Sequence, residues 1–166
     1  MALDEAYIQA AADRTMIEDL LGRYAFAFDY ATVDPHAWAA LFTPDGRFAI
    51  PVMQVVVEGR AALAEFAAGL HRTIPGLHHV MSNFVVDVDG DSARGKCELN
   101  EFLLRPDGIH NALMGWYEDD YVRDGHRWLF RSRQVYVPRD SSRVTTSGAI
   151  GEYFAAYLAF CRQWRG

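Results

Sequence analysis

The feature that most constrains this chain is its second half. Four β-like stretches, at about 78–88, 93–104, 109–123 and 127–137, follow one another without an intervening helix. Asp89-Gly90-Asp91, Pro106-Asp107-Gly108 and Asp124-Gly125 separate them. These turn signals make antiparallel hairpins the simplest connection. A meander of this kind needs a cover over its apolar face, and the first half of the chain supplies helices. The expectation is an α+β fold with the helices on one face of the sheet, around an apolar pocket.

The first helix is expected over about 4–29, with Asp4 as its cap and Glu5 in its first turn. Ile17, Leu20, Leu21, Tyr24 and Phe28 recur at helical spacing, so this stripe faces the core and ends beside Asp29. Asp34-Pro35 opens a short second helix, Asp as cap and Pro at the first helical position. Trp38, Leu41 and Phe42 are its apolar side, and Thr43-Pro44-Asp45-Gly46 ends it in a turn. Short strands at about 47–50 and 54–58 flank Pro51, which suits a sheet edge or bend. A third helix is expected at about 60–70, then a loop at about 71–77. After the meander, about 138–149 reads as a loop. A last helix at about 151–164 has Phe154, Tyr157, Leu158 and Cys161 as its stripe. Residues 1–137 thus form a domain core. Residues 138–166 form an extension that packs on the core or on a neighbouring subunit.

Several function classes fall away. The net charge is −6 and the basic residues form no long run, which argues against a nucleic-acid platform. No run of about 18 apolar residues exists to span a membrane. Asp4, Glu5 and Asp13 are wrong for a signal peptide, so a cytoplasmic location is expected. Cys97 and Cys161 lack metal-like or redox-like spacing and read as buried free thiols. There is no His-Glu-x-x-His motif, no Gly-rich phosphate loop after a strand and no nucleophile elbow. No metal and no cofactor are expected.

The remaining chemistry rests on a few polar residues in apolar settings. His78 and His79 are adjacent on one strand and therefore point to opposite faces. His79 shares its face with Met81, Asn83 and Val85; His78 shares the other with Val80, Phe84 and Val86. Parity does not choose between the two histidines. A pocket histidine moves protons near neutral pH and works better with a carboxylate fixing its tautomer. Asp29 is a candidate for that carboxylate, or it only ends its helix. Glu101 shares strand parity with Cys97, Leu99 and Leu103, so an intact register places an acid on an apolar face. Tyr24 can donate its hydroxyl to a substrate oxygen, and Asn83 can orient a substrate or close the strand end. Arg133 and Tyr136 have opposite parity, so one of them at most faces the cavity unless a bulge intervenes.

In order along the chain stand Arg23-Tyr24 leading to Asp29, then Trp38, then Leu41-Phe42-Thr43-Pro44-Asp45-Gly46. His79-Val80-Met81-Ser82-Asn83 and Asp87-Val88-Asp89-Gly90-Asp91 follow, then Gly115-Trp116-Tyr117-Glu118-Asp119-Asp120-Tyr121, Gly125 and Trp128. This set resembles the SnoaL-like family of the nuclear-transport-factor-2-like superfamily, over about residues 8 to 137. The resemblance is to its scytalone dehydratase, bile-acid dehydratase and hexachlorocyclohexane dehydrochlorinase members. It implies a cone-shaped, curved, mostly antiparallel sheet with helices closing an inner cavity. It selects His79 over His78 and pairs it with Asp29. It assigns Tyr24 to the dehydratase tyrosine and Glu101 to a position where the bile-acid enzyme carries an aspartate. Arg133 falls near the dehydrochlorinase arginine and Tyr136 near the bile-acid enzyme's arginine. Phe48 stands where a second substrate-binding tyrosine would be. Met81, Asn83 and Trp116 complete the expected substrate-binding set.

The function this implies is a cofactor-independent lyase, a dehydratase acting on a hydrophobic cyclic substrate, steroid-like or polyketide-like. An isomerase or polyketide cyclase would use the same pocket. A non-catalytic ligand-binding module and the small subunit of a ring-hydroxylating dioxygenase are further alternatives. Family members imply a homo-oligomer, a trimer ahead of a dimer.

Overall fold

In the computed structural model, the Asp4 carboxylate accepts from the Ala6 backbone N–H at 3.1 Å and starts α1, Glu5–Asp29. The structure describes residues 4–29, 33–138 and 148–166. Ile17, Leu20, Leu21, Tyr24 and Phe28 are buried on one side of α1, as their spacing requires. Asp34 caps α2, Pro35–Ala40, by accepting from the His36 and Ala37 backbone N–H groups at 3.0 Å each. α3, Arg60–Thr73, starts at Gly59 and packs against α2.

Six strands follow the order β2-β1-β6-β5-β4-β3. They are β1, Phe42–Ile50; β2, Val55–Glu58; β3, Leu77–Asp89; β4, Ser92–Arg105; β5, Gly108–Asp124; and β6, Arg127–Tyr136. β1 and β6 are parallel and every other neighbouring pair is antiparallel. The sheet is curved and does not close on itself. Its curvature has a local cause. The register slips between Ser82 and Val85 on β3, between Glu101 and Phe102 on β4, and between Asp120 and Tyr121 on β5. Each slip sets an extra residue on one strand, which bends the ladder and strengthens its twist.

Two expectations need correction. The turn at Thr43–Gly46 does not separate α2 from the first strand. It is an excursion within β1, which faces Phe130 at Phe42 and Ser132 at Arg47. Gly46 permits the tight path: a Cβ there would stand 2.7 Å from Phe42 Cβ. The second concerns β3. Asn83 adopts φ 53 at the slip, and the strand's parity reverses beyond it. Val86 is therefore buried, while Asn83 and Val85 are exposed.

The last helix, α4, Gly148–Cys161, begins earlier than the stripe predicts and continues as a 3-10 turn at Arg162–Trp164. It packs on α3, with Phe160 5.3 Å and Trp164 5.5 Å from the Phe66 ring centroid. Arg165 bridges to Val55, pinning the chain end to β2. Of the expected loop, 139–147 lies outside the described residues. Among the described residues, no helix is long and apolar enough to cross a membrane. Cys97 and Cys161 are buried free thiols, and burial pushes each up to about 11.

Candidate active site

The C-terminal end of α1 meets the start of β3. That junction delivers Asp29, the last residue of the helix, onto His79. Asp29 Oδ2 accepts the His79 backbone N–H at 2.6 Å, and Oδ1 lies 2.5 Å from Nδ1. The carboxylate thus grips the residue twice and fixes both strand and ring. A carboxylate only accepts, so Nδ1 carries the proton and a neutral His79 presents a bare Nε2. Phe28 and Tyr24 stand edge-on to the imidazole at centroid distances of 5.4 and 6.2 Å.

Nε2 faces Glu101. The two residues are direct partners across β3 and β4, and Nε2 lies 3.7 Å from Oε1. That is too long for a hydrogen bond. The other oxygen, Oε2, accepts the Tyr153 hydroxyl at 2.7 Å. Asp29, His79, Glu101 and Tyr153 therefore form one buried array. The His79 and Glu101 side chains are 6% and 7% exposed.

Burial tunes both titrating members. Burial pushes the Glu101 carboxyl above its usual range and the Asp29 charge adds to this, against the opposing pull of His79 and Tyr153. For His79, burial opposes the charged ring. The Asp29 hydrogen bond and charge, helped by Glu101, outweigh it, and the imidazole is held above its ordinary value. Both groups are thereby biased toward keeping a proton.

A model of the SnoaL-like domain matches residues 9–134. The chain belongs to the SnoaL-like family. A solved Asp-to-Asn variant of a Mycobacterium tuberculosis protein of unknown function is 26% identical, covers 100% of this chain and 98% of its own, and superposes with a TM-score of 0.86. A Novosphingobium aromaticivorans protein described as nuclear-transport-factor-2-like with a cystatin-like fold is 26% identical over 82% of this chain and 89% of its own, with a TM-score of 0.74. A candidate scytalone dehydratase from the same organism is 25% identical over 78% of this chain and 86% of its own, with a TM-score of 0.65. The fold of this SnoaL-like protein is that of the nuclear-transport-factor-2-like group.

The SnoaL-like chain gathers some of the expected residues and separates others. Tyr24 is buried between Trp38, Phe42, Tyr117 and Phe130. Burial pushes the Tyr24 phenol up to about 12, so it remains a donor. Phe48 is buried against Trp38 and Phe66. Met81 shares the inner face with His79, and its sulfur lies 3.7 Å from Arg133 Nη2.

Arg133 is on the inner face but already has a partner. Its Nε and Nη2 donate to the two Asp119 oxygens at 2.9 and 3.0 Å, and neither side chain has any exposed surface. Its guanidinium stacks 3.7 Å from the Tyr117 centroid and 4.2 Å from that of Tyr24. Arg133 therefore braces the floor beneath Tyr24. Trp116 and Tyr136 pair across β5 and β6 and stack on each other at 5.5 Å. Their strand parity is opposite to that of buried Tyr117 and Arg133, so they lie on the outer face and do not join the His79 group. Asn83 is exposed at the β3 slip and does not join it either.

Two further groups surround these residues: Tyr153 on Glu101, and the Tyr117–Asp119–Tyr121 cluster around Arg133. Tyr121 donates to Asp119 Oδ2 at 2.7 Å. Alternation along β5 at 117, 119 and 121 was the available signal. An apolar cleft of about 460 Å³ runs beside the array, lined by Ile50, Met53, Leu113, Val135, Phe154 and Tyr157 among others. His79 and Glu101 are not in its wall. Leu113 pairs with Glu101, and Tyr157 stacks on Tyr153, so cleft and array share a boundary. Among the described residues, no group of three or more His, Cys, Asp or Glu side chains could hold a metal ion.

Proposed function

We propose that this SnoaL-like protein is a cofactor-independent lyase that dehydrates a hydrophobic cyclic substrate. One observation carries the reading. A tautomer-fixed histidine and a carboxyl raised by burial face each other across 3.7 Å, in a buried array that borders an apolar cleft through Leu113 and Tyr157.

The substrate body occupies the cleft, whose walls are mainly aliphatic and aromatic. His79 Nε2 takes a proton from a carbon beside a carbonyl. Asp29 holds the ring and stabilises the imidazolium that forms. Glu101, protonated at the start, gives its proton to the departing hydroxyl, which leaves as water. Hydroxide is a poor leaving group, so this proton is needed. Tyr24, whose ring centroid lies 6.2 Å from that of His79, supplies a donor for a carbonyl or enolate oxygen. The step ends with imidazolium beside carboxylate. Return of the proton from His79 to Glu101 restores the starting pair without an external acid. The similarity to a candidate scytalone dehydratase supports the same reading.

The test is incubation with a panel of cyclic β-hydroxy ketones and mass analysis of the products. Loss of one water, abolished in His79→Ala with its circular dichroism unchanged, is the expected result. Retained turnover in that variant overturns the assignment. A product of unchanged mass identifies isomerisation at the same site instead.

A further inference from the structure

The family match ends at residue 134, yet the acid/base array is completed from beyond it. α4 supplies that part. Tyr153 is buried, stacks on Tyr157 at 5.7 Å with an 11° interplanar angle, and touches Phe154 at 5.0 Å. The ring is thus held on two sides, and its hydroxyl reaches Glu101 Oε2 at 2.7 Å.

We propose that Tyr153 is a positioning residue that seats Glu101, so that Oε1 is the oxygen presented to His79 Nε2. The geometry supports this in three ways. The Tyr153 donor occupies Oε2 and leaves Oε1 without that bond. A carboxyl on a strand has two-fold freedom about its last torsion, and one fixed donor removes it. The helix carrying Tyr153 is itself anchored away from the array. Phe160 approaches α3 so closely that a Cβ on Gly69 would lie 2.7 Å from its ring. Trp164 packs on Phe66 alongside, and Arg165 bridges to β2. The position of α4, and with it the Tyr153 hydroxyl, is set by contacts that do not involve the reacting groups.

A donor to the carboxylate favours its ionised form. Tyr153 therefore counteracts part of what burial does to Glu101. It sets how readily the acid releases its proton as well as which oxygen holds it.

The proposal rests on the acid/base reading, but its test does not need the substrate. Isotope-edited infrared spectroscopy follows the Glu101 carboxyl, with Glu101→Gln assigning the band. Tyr153→Phe keeps the ring and its stacking but loses the donor. The Glu101 midpoint is expected to move to higher pH in that variant. Fluorotyrosine at 153 keeps the hydroxyl and makes it a stronger donor, so there the midpoint is expected to move lower. It also serves should Tyr153→Phe fail to fold. A midpoint unchanged in the fluorotyrosine protein, or in folded Tyr153→Phe, overturns the proposal. Turnover in His79→Ala would sink the lyase reading while leaving this coupling measurable, so the two failures are distinguishable. Where turnover is available, Tyr153→Phe should lower kcat more than it raises KM and displace the pH limb belonging to Glu101.

Discussion

His79 and Glu101 occupy directly opposed positions on β3 and β4, with Nε2 3.7 Å from Oε1. A histidine and a carboxyl group are thus brought face to face by strand pairing, before any loop contributes. The remaining parts act on that pair: Asp29 from the end of α1, Tyr153 from α4, and the Arg133–Asp119 brace beneath.

Asp29→Asn is expected to lower turnover by about 10²–10⁴-fold. The amide can donate to Nδ1 and move the ring proton to Nε2, where the base must be bare. The pH profile changes as well. Asp29 is the main influence holding the His79 value above 6.5, so without its charge burial dominates. The acidic limb of kcat/KM therefore shifts to lower pH in the variant. An unmoved limb would separate Asp29 from the histidine that titrates.

Glu101→Gln tests the same burial through stability. The folded-state value of Glu101 is raised above 4.5, so the folded protein favours the protonated acid. Its ionisation costs stability as pH rises from 4.5 through the folded value. The His79 value is raised too, so its contribution is fully present below 6.5 and is lost as pH rises through its own folded value. Both slopes have the same sign. Urea unfolding across this range should show wild-type stability falling with pH. The Glu101→Gln protein should fall less steeply. Parallel curves would mean that Glu101 keeps an ordinary value.

Much of this arrangement was legible in the sequence, and the parts that were not share a reason. Asp34-Pro35 declared α2 because capping is a local code. Glu101 was placed on the inner face because parity is local too, and its register holds from Cys97 to Glu101. Strict alternation puts Asn83, Val85 and Val86 on the wrong faces because one slip reverses parity, and its position answers to the curvature of the whole sheet. Trp116 and Tyr136 were expected in the pocket from the resemblance, although Trp116 alternates against buried Tyr117. Local pattern does not single out Tyr153, because its partner is 52 residues away. The spacing of Tyr153, Tyr157 and Phe160 was the clue to the inward stripe of α4.

Arg133→Met is expected to destabilise the fold by about 3–5 kcal/mol, because Asp119 would be left buried and unpaired. Replacing both partners, as Arg133→Met with Asp119→Leu, should recover much of that loss, since a well-packed apolar pair avoids the desolvation penalty. Chemical denaturation of the three proteins measures this. Equal stability of Arg133→Met and wild type would mean that the pair contributes nothing to holding β5 against β6.

Asn83 separates a backbone role from a substrate role. Its φ of 53 lies in the left-handed region, where glycine is at ease and a β-branched residue is not. Asn83→Gly should therefore leave both stability and turnover close to wild type. Asn83→Val should cost about 1–2 kcal/mol, the penalty of forcing such a side chain into that conformation. The loss should spread to β3 as a whole, because Val86 reaches the core only through the parity reversal that follows the slip. Thermal unfolding and kcat/KM together decide the case. If Asn83→Gly kept its stability but lost turnover, the amide would be acting on the substrate, and the exposed position of Asn83 in this structure would not be its working one.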